Sequence, residues 1–131
     1  MKRRTMVAAV LSGILAVPWN GIAVAAASSP AGKTQKGVAS FYGAKDAGKT
    51  TASGKPLDPN RMTAASPTLP LGTRAKVTNT TTGKSAQVTV TDRGPYAKGR
   101  VIDVTPKAAE RLGMKHKGVA PVVVKPLSKP R

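Results

Sequence analysis

The chain has 131 residues, with 22 Lys plus Arg against 5 Asp plus Glu, a formal net charge of +17, and no cysteine. Its length fits one small domain behind a leader, and the missing cysteine excludes a disulfide, a thiol nucleophile and a lipidated cysteine. A field of this sign gathers polyanions, but Phe41, Tyr42 and Tyr96 are too few and too scattered for a stacking platform, so no nucleic-acid partner is expected.

Lys2, Arg3 and Arg4 precede an apolar run from Met6 to Val17, and the small residues Ala23-Val24-Ala25 and Ala25-Ala26-Ala27 follow. This order predicts a secretory signal peptide over residues 1–27. The run is shorter than the roughly 20 residues that span a bilayer, so no membrane anchor is expected after cleavage. The product is then exported, to the periplasm or to the extracellular cell wall. Losing the three leading cations leaves 19 Lys plus Arg against 5 acids, or +14. Outside the membrane the matching polyanion is the cell wall, with its stem-peptide carboxylates and acidic polymers.

Residues 28–36 are polar and broken by Gly and Pro, and read as a disordered leader. The domain is expected over residues 37–127, with a basic tail at 128–131. Val38 to Tyr42 reads as a strand, Gly43 to Lys49 as a loop, and Thr51-Ala52-Ser53-Gly54 as a turn. Met62 to Ala65 is apolar enough for a buried strand, and Leu69 to Gly72 turns the chain again. Arg74 to Thr78 and Ser85 to Val90 alternate with period two, which predicts a hairpin with Ala75, Val77, Ala86, Val88 and Val90 inward. Arg100 to Val104 is a further strand. Thr105 is placed to N-cap a short helix with Pro106 at its first position, and Gly113 suits the left-handed stop. Val119 to Val124 is the last strand. Short strands, one helix and Gly/Pro turns point to a small closed all-β barrel.

Asp92 falls where the hairpin's second strand meets the turn Arg93-Gly94-Pro95-Tyr96. A carboxyl there can serve as general acid or base if its surroundings hold it, and Gly94-Pro95 supplies a rigid turn. The structural alternative is a capped turn with an Asp92–Arg93 ion pair.

The segments Gly37 to Gly43, Thr51-Ala52-Ser53-Gly54, Thr63-Ala64-Ala65, Leu69 to Thr73, Val77-Thr78-Asn79, Asp92-Arg93-Gly94-Pro95 and Ala108-Ala109-x-x-Leu112-Gly113, in this order, resemble rare lipoprotein A. The resemblance covers roughly residues 37–127. It implies a six-stranded double-psi β-barrel with one short helix, related to the expansins. It also implies a lytic transglycosylase that cuts naked peptidoglycan glycan strands, leaves 1,6-anhydromuramyl ends, and uses Asp92 as acid and base. The chain departs from the family pattern at two positions: Lys55 stands where active members commonly carry a catalytic Glu, and Ser66 where they commonly carry His. Those departures support the alternative of a non-catalytic, expansin-like peptidoglycan-binding barrel.

Other residues have two readings each. Tyr42 can stack on a sugar or sit in the core, and Thr51 and Ser53 can bond sugar hydroxyls or brace their turn. Arg93 can hold Asp92 or a substrate group, or pair with Asp103, which lies in an apolar strand and needs a partner. Asp46 and Asp58 are expected to cap loops. His116, the only histidine, has no second ligand near it, so neither a metal nor any other cofactor is expected, and the protein is expected to act as a monomer.

Overall fold

The hairpin is the most regular part of the chain, because its period-two alternation matches the pleat of a sheet with one buried face. In the computed structural model, which describes residues 32–128, β3 (Arg74–Asn79) pairs antiparallel with β4 (Ser85–Asp92). Ala75, Val77, Ala86, Val88 and Val90 are all buried, as the alternation predicts. The expected signal peptide, residues 28–31 of the leader, and residues 129–131 of the tail lie outside the described residues. The other strands are β1 (Gln35–Phe41), β2 (Thr63–Ala65), β5 (Arg100–Val104) and β6 (Val119–Ser128). β1 starts two residues before the expected domain boundary, because Gln35 and Lys36 already pair with Val124 and Val123.

The six strands close into a barrel in the order β1-β5-β2-β4-β3-β6. β1 with β5 and β2 with β4 are parallel pairs, and the remaining pairs are antiparallel. A six-stranded barrel is narrow, so its interior takes small and β-branched side chains. Ala39, Ala64, Ala75, Val77, Val90, Ile102 and Val104 fill it at 0 or 1% exposure. Parallel β1 and β5 approach closely at Gly37, where a Cβ would lie 2.5 Å from the Val101 side chain and 2.9 Å from the Gly99 carbonyl. No helix among the described residues is long and apolar enough to cross a membrane.

The helix α1 (Pro106–Arg111) packs Ala108 and Ala109 inward, with Pro106 in its first turn, and Gly113 follows at φ +69°. Thr105 holds the cap position, but its hydroxyl donates to the Arg61 carbonyl at 2.5 Å instead of capping the helix. That bond ties the loop before β2 to the start of the helix.

On the barrel's outside, Lys76 of β3 sits directly opposite Lys125 of β6, and both are exposed. Like charges in a cross-strand pair repel, whereas opposite charges there contribute about 0.2–1 kcal/mol. Lys76→Glu is therefore expected to stabilise the barrel by about that amount. A urea midpoint at low salt reads it, and the gain should shrink as salt screens the pair.

Candidate active site

β4 carries Asp92 to the barrel's end, where it aligns with Ala65 of β2, and Ala65 aligns on its other side with Asp103 of β5. Ser40 of β1 stands opposite Asp103, so Asp92, Ala65, Asp103 and Ser40 form a row across four neighbouring strands. The methyl group of Ala65 is the smallest side chain a non-glycine residue can place between two carboxylates. Gly94, at φ +99°, then turns the chain away in a conformation that L side chains rarely adopt.

The Asp92 carboxylate is held asymmetrically. Its Oδ1 accepts the backbone N–H groups of Ala52 and Arg93, both at 2.9 Å. Its Oδ2 faces the Tyr42 hydroxyl, which donates to it at 3.4 Å. The backbone reinforces this placement: Ser53 N–H donates to the Thr91 carbonyl at 2.9 Å, and Ser66 N–H to the Asp92 carbonyl at 3.1 Å. The loop around Ala52 is thereby docked onto the end of β4. With Oδ1 bonded twice, Oδ2 is the oxygen left to carry or receive a proton.

Burial, reinforced by the negative charge of Asp92 and then of Asp103, raises the Tyr42 phenol well above its ordinary value of 10.0. The phenol therefore stays neutral and a donor at physiological pH. A raised folded-state value means a stability contribution that is complete below pH 10 and is lost as pH climbs toward the folded value. Tyr42→Phe should accordingly flatten part of the alkaline loss of stability, measured by urea unfolding between about pH 9 and 11.

Arg93 does not pair with Asp92. Its guanidinium donates to the carbonyls of Ser66 at 3.0 Å and Leu69 at 2.5 Å, stapling the loop after β2. Nor does it partner Asp103, which takes Arg100 at 2.7 Å, with Ser40 hydrogen-bonded to both. The partner was hidden in the sequence because residues three apart in a regular strand point to opposite faces. Of the other substrate-binding candidates, Thr51 is buried, and its hydroxyl bonds Ser53 Oγ and the Lys55 carbonyl at 2.8 Å each. Thr51 thus braces its turn, while Ser53 is exposed.

The two departures end in different places. Ser66 is buried, and its Oγ accepts the N–H groups of Thr68 at 3.2 Å and Leu69 at 2.9 Å. Its hydroxyl is a loop cap. Lys55 is exposed and lines a cavity of about 620 Å³ together with Thr51, Ser53, Asp58, Arg61, Thr63, Thr89 and Thr91; Asp92 is not in its lining but adjoins it through its neighbour Thr91 and through the turn whose Ala52 N–H holds Oδ1. No ion pair joins Lys55 to Asp92 among the described residues. Thr89 and Thr91 escaped the sequence reading, although they are the outward positions on either side of buried Val90. Asp46 and Asp58 cap loops as expected, accepting the N–H groups of Gly43 and Asn60. His116 is exposed, and no acid, histidine or cysteine cluster suited to a metal occurs among the described residues.

A closed six-stranded mixed barrel with a carboxylate fixed at one end beside a hydroxyl-lined cavity defines a double-psi β-barrel protein. The chain belongs to the lytic transglycolase family, whose model matches residues 34–124. It is 51% identical over 96 residues to the probable endolytic peptidoglycan transglycosylase RlpA of Nostoc sp., a match spanning 72% of this chain and 26% of that protein. It is 45% identical over 91 residues to the endolytic peptidoglycan transglycosylase RlpA of Neisseria meningitidis, spanning 70% of this chain and 38% of that protein. The match therefore spans well under half the length of these curated relatives. Among solved structures, a Streptomyces papain inhibitor superposes with TM-score 0.62 at 25% identity, covering 76% of this chain and 98% of that one. An expansin of Clavibacter michiganensis superposes with TM-score 0.57 at 25% identity, covering 76% of this chain and 52% of that one.

Proposed function

We propose that the protein is a lytic transglycosylase of peptidoglycan glycan strands, exported to the periplasm or cell wall and active as a monomer, with Asp92 as its acid and base. The observation that carries this reading is the asymmetric hold on Asp92, with Oδ1 fixed by two amides and Oδ2 directed at a neutral phenol. The relatives' names support the substrate class.

In this reading, Oδ2 of protonated Asp92 gives its proton to the glycosidic oxygen as the muramyl C1–O bond breaks. The resulting carboxylate then takes the proton of the muramyl 6-hydroxyl, whose oxygen closes on C1. Asp92 is restored, a 1,6-anhydro end forms, and no water is consumed. The Tyr42 hydroxyl donates to the carboxylate stage and stays out of the transfer. Ser53, Thr89 and Thr91 supply hydroxyls to a sugar in the cavity, while Thr51 holds the turn and Arg93 holds the loop after β2.

The test is incubation of the purified protein with naked glycan strands, with mass spectrometry of the products. Anhydromuramyl ends are expected, and reducing ends alone would overturn the mechanism. The position of Lys55 in the cavity favours the second reading, a barrel that binds glycan without cutting it. Strand binding without any product would select that reading.

A further inference from the structure

The cavity beside Asp92 contains charge as well as hydroxyls. Its two cations differ in their ties: the Arg61 guanidinium is within 3.8 Å of Asp58, whereas Lys55 has no ionic partner among the described residues. An ammonium standing free in a concave, hydroxyl-lined site is a receptor for an anion on whatever occupies that site.

The backbone beneath Lys55 is built, not loose. Thr51 N–H donates to the Lys55 carbonyl at 2.9 Å, the Thr51 hydroxyl to the same carbonyl at 2.8 Å, and Gly54 N–H to the Thr51 carbonyl at 2.9 Å. An isolated bridge between Thr50 and Pro56 closes the turn. Ala52, in the same turn, holds Asp92 Oδ1. One tight turn therefore fixes the backbone that carries Lys55 relative to the carboxylate.

We infer that Lys55 is a specificity residue that reads a carboxylate on the muramyl residue of the glycan, an inference resting on the site's assignment to peptidoglycan. Muramic acid carries a lactyl carboxyl group. Where a stem peptide is attached, that group is an uncharged amide; where the peptide is gone, it is a free anion beside the sugar ring. A cation in the sugar-binding cavity discriminates between these two states. Carboxylates of the stem peptide are the second source of the same chemistry.

The experiment measures binding of the exported chain at low salt to three strands: naked with free lactyl carboxylates, naked with those carboxylates converted to amides, and peptide-bearing. A single charge-assisted hydrogen bond predicts about tenfold tighter binding of the free carboxylate over the amide. Lys55→Gln should bring that ratio within about twofold of one, and Lys55→Arg should restore most of it. Lys115→Gln removes the same charge from an exposed loop away from the cavity, and should keep the ratio. A thermal midpoint unchanged in Lys55→Gln separates this from a folding defect. If the Lys55-dependent gain appears only with peptide-bearing strands, the inference holds with the stem peptide as source. A ratio near one with no Lys55-dependent gain on peptide-bearing strands either, or a ratio that survives Lys55→Gln, overturns the inference and leaves the peptidoglycan assignment standing. Failure to bind any of the three strands overturns both.

Discussion

Asp92→Asn should fold as the natural protein does and lose anhydro-product formation by about 10²–10⁴-fold, the usual contribution of a positioned proton-transfer group. The fold survives because an amide oxygen at Oδ1 still accepts the N–H groups of Ala52 and Arg93. The chemistry is lost because the amide nitrogen replacing Oδ2 neither gives a proton to a glycosidic oxygen nor accepts one from a hydroxyl. Strand binding should persist, since the cavity hydroxyls and Lys55 are untouched. Mass spectrometry of products beside a binding assay checks both halves. Product yield equal to the natural protein's would remove Asp92 from the mechanism.

Ile102→Ala is expected to cost about 2–5 kcal/mol of folding stability, the range for deleting a fully buried branched side chain. Ile102 is 0% exposed inside a barrel too narrow to refill the space, and it is paired in register with Ala39, whose small side chain gives little to move inward. For a domain near 100 residues this corresponds to a fall of roughly 10–30 °C in midpoint. The outward neighbour Asp103 rides on the same strand, so partial fraying of β5 should also loosen its link with Ser40 and Arg100. Calorimetry reads the first effect. A loss below 1 kcal/mol would mean that the barrel collapses around the gap more freely than its packing implies.

The elements of this chain were legible because they are written locally. Alternation from Arg74 to Val90 specifies two strands and which side chains enter the core, and Pro106 and Gly113 bracket a helix. The position of Asp92 at a strand's end follows from the same local pattern, as does the small-residue interior of the barrel. The ordered motifs identified the family that the comparisons support.

What the sequence determined by itself is thus the set of strands, their buried faces and the carboxylate that ends one of them. The tertiary structure alone decided the partners of the long charged side chains. Arg93 adjoins Asp92 in the chain, yet its guanidinium reaches the carbonyls of Ser66 and Leu69. Asp103 takes Arg100 and Ser40, and Lys55 faces a cavity whose walls come from β2, β4 and the loop between β1 and β2. The reason is physical. A strand's periodicity is fixed by its own backbone geometry, whereas a flexible cation takes whichever unpaired oxygen the closed barrel brings within reach, and closure here joins segments as far apart as Ser40 and Asp103.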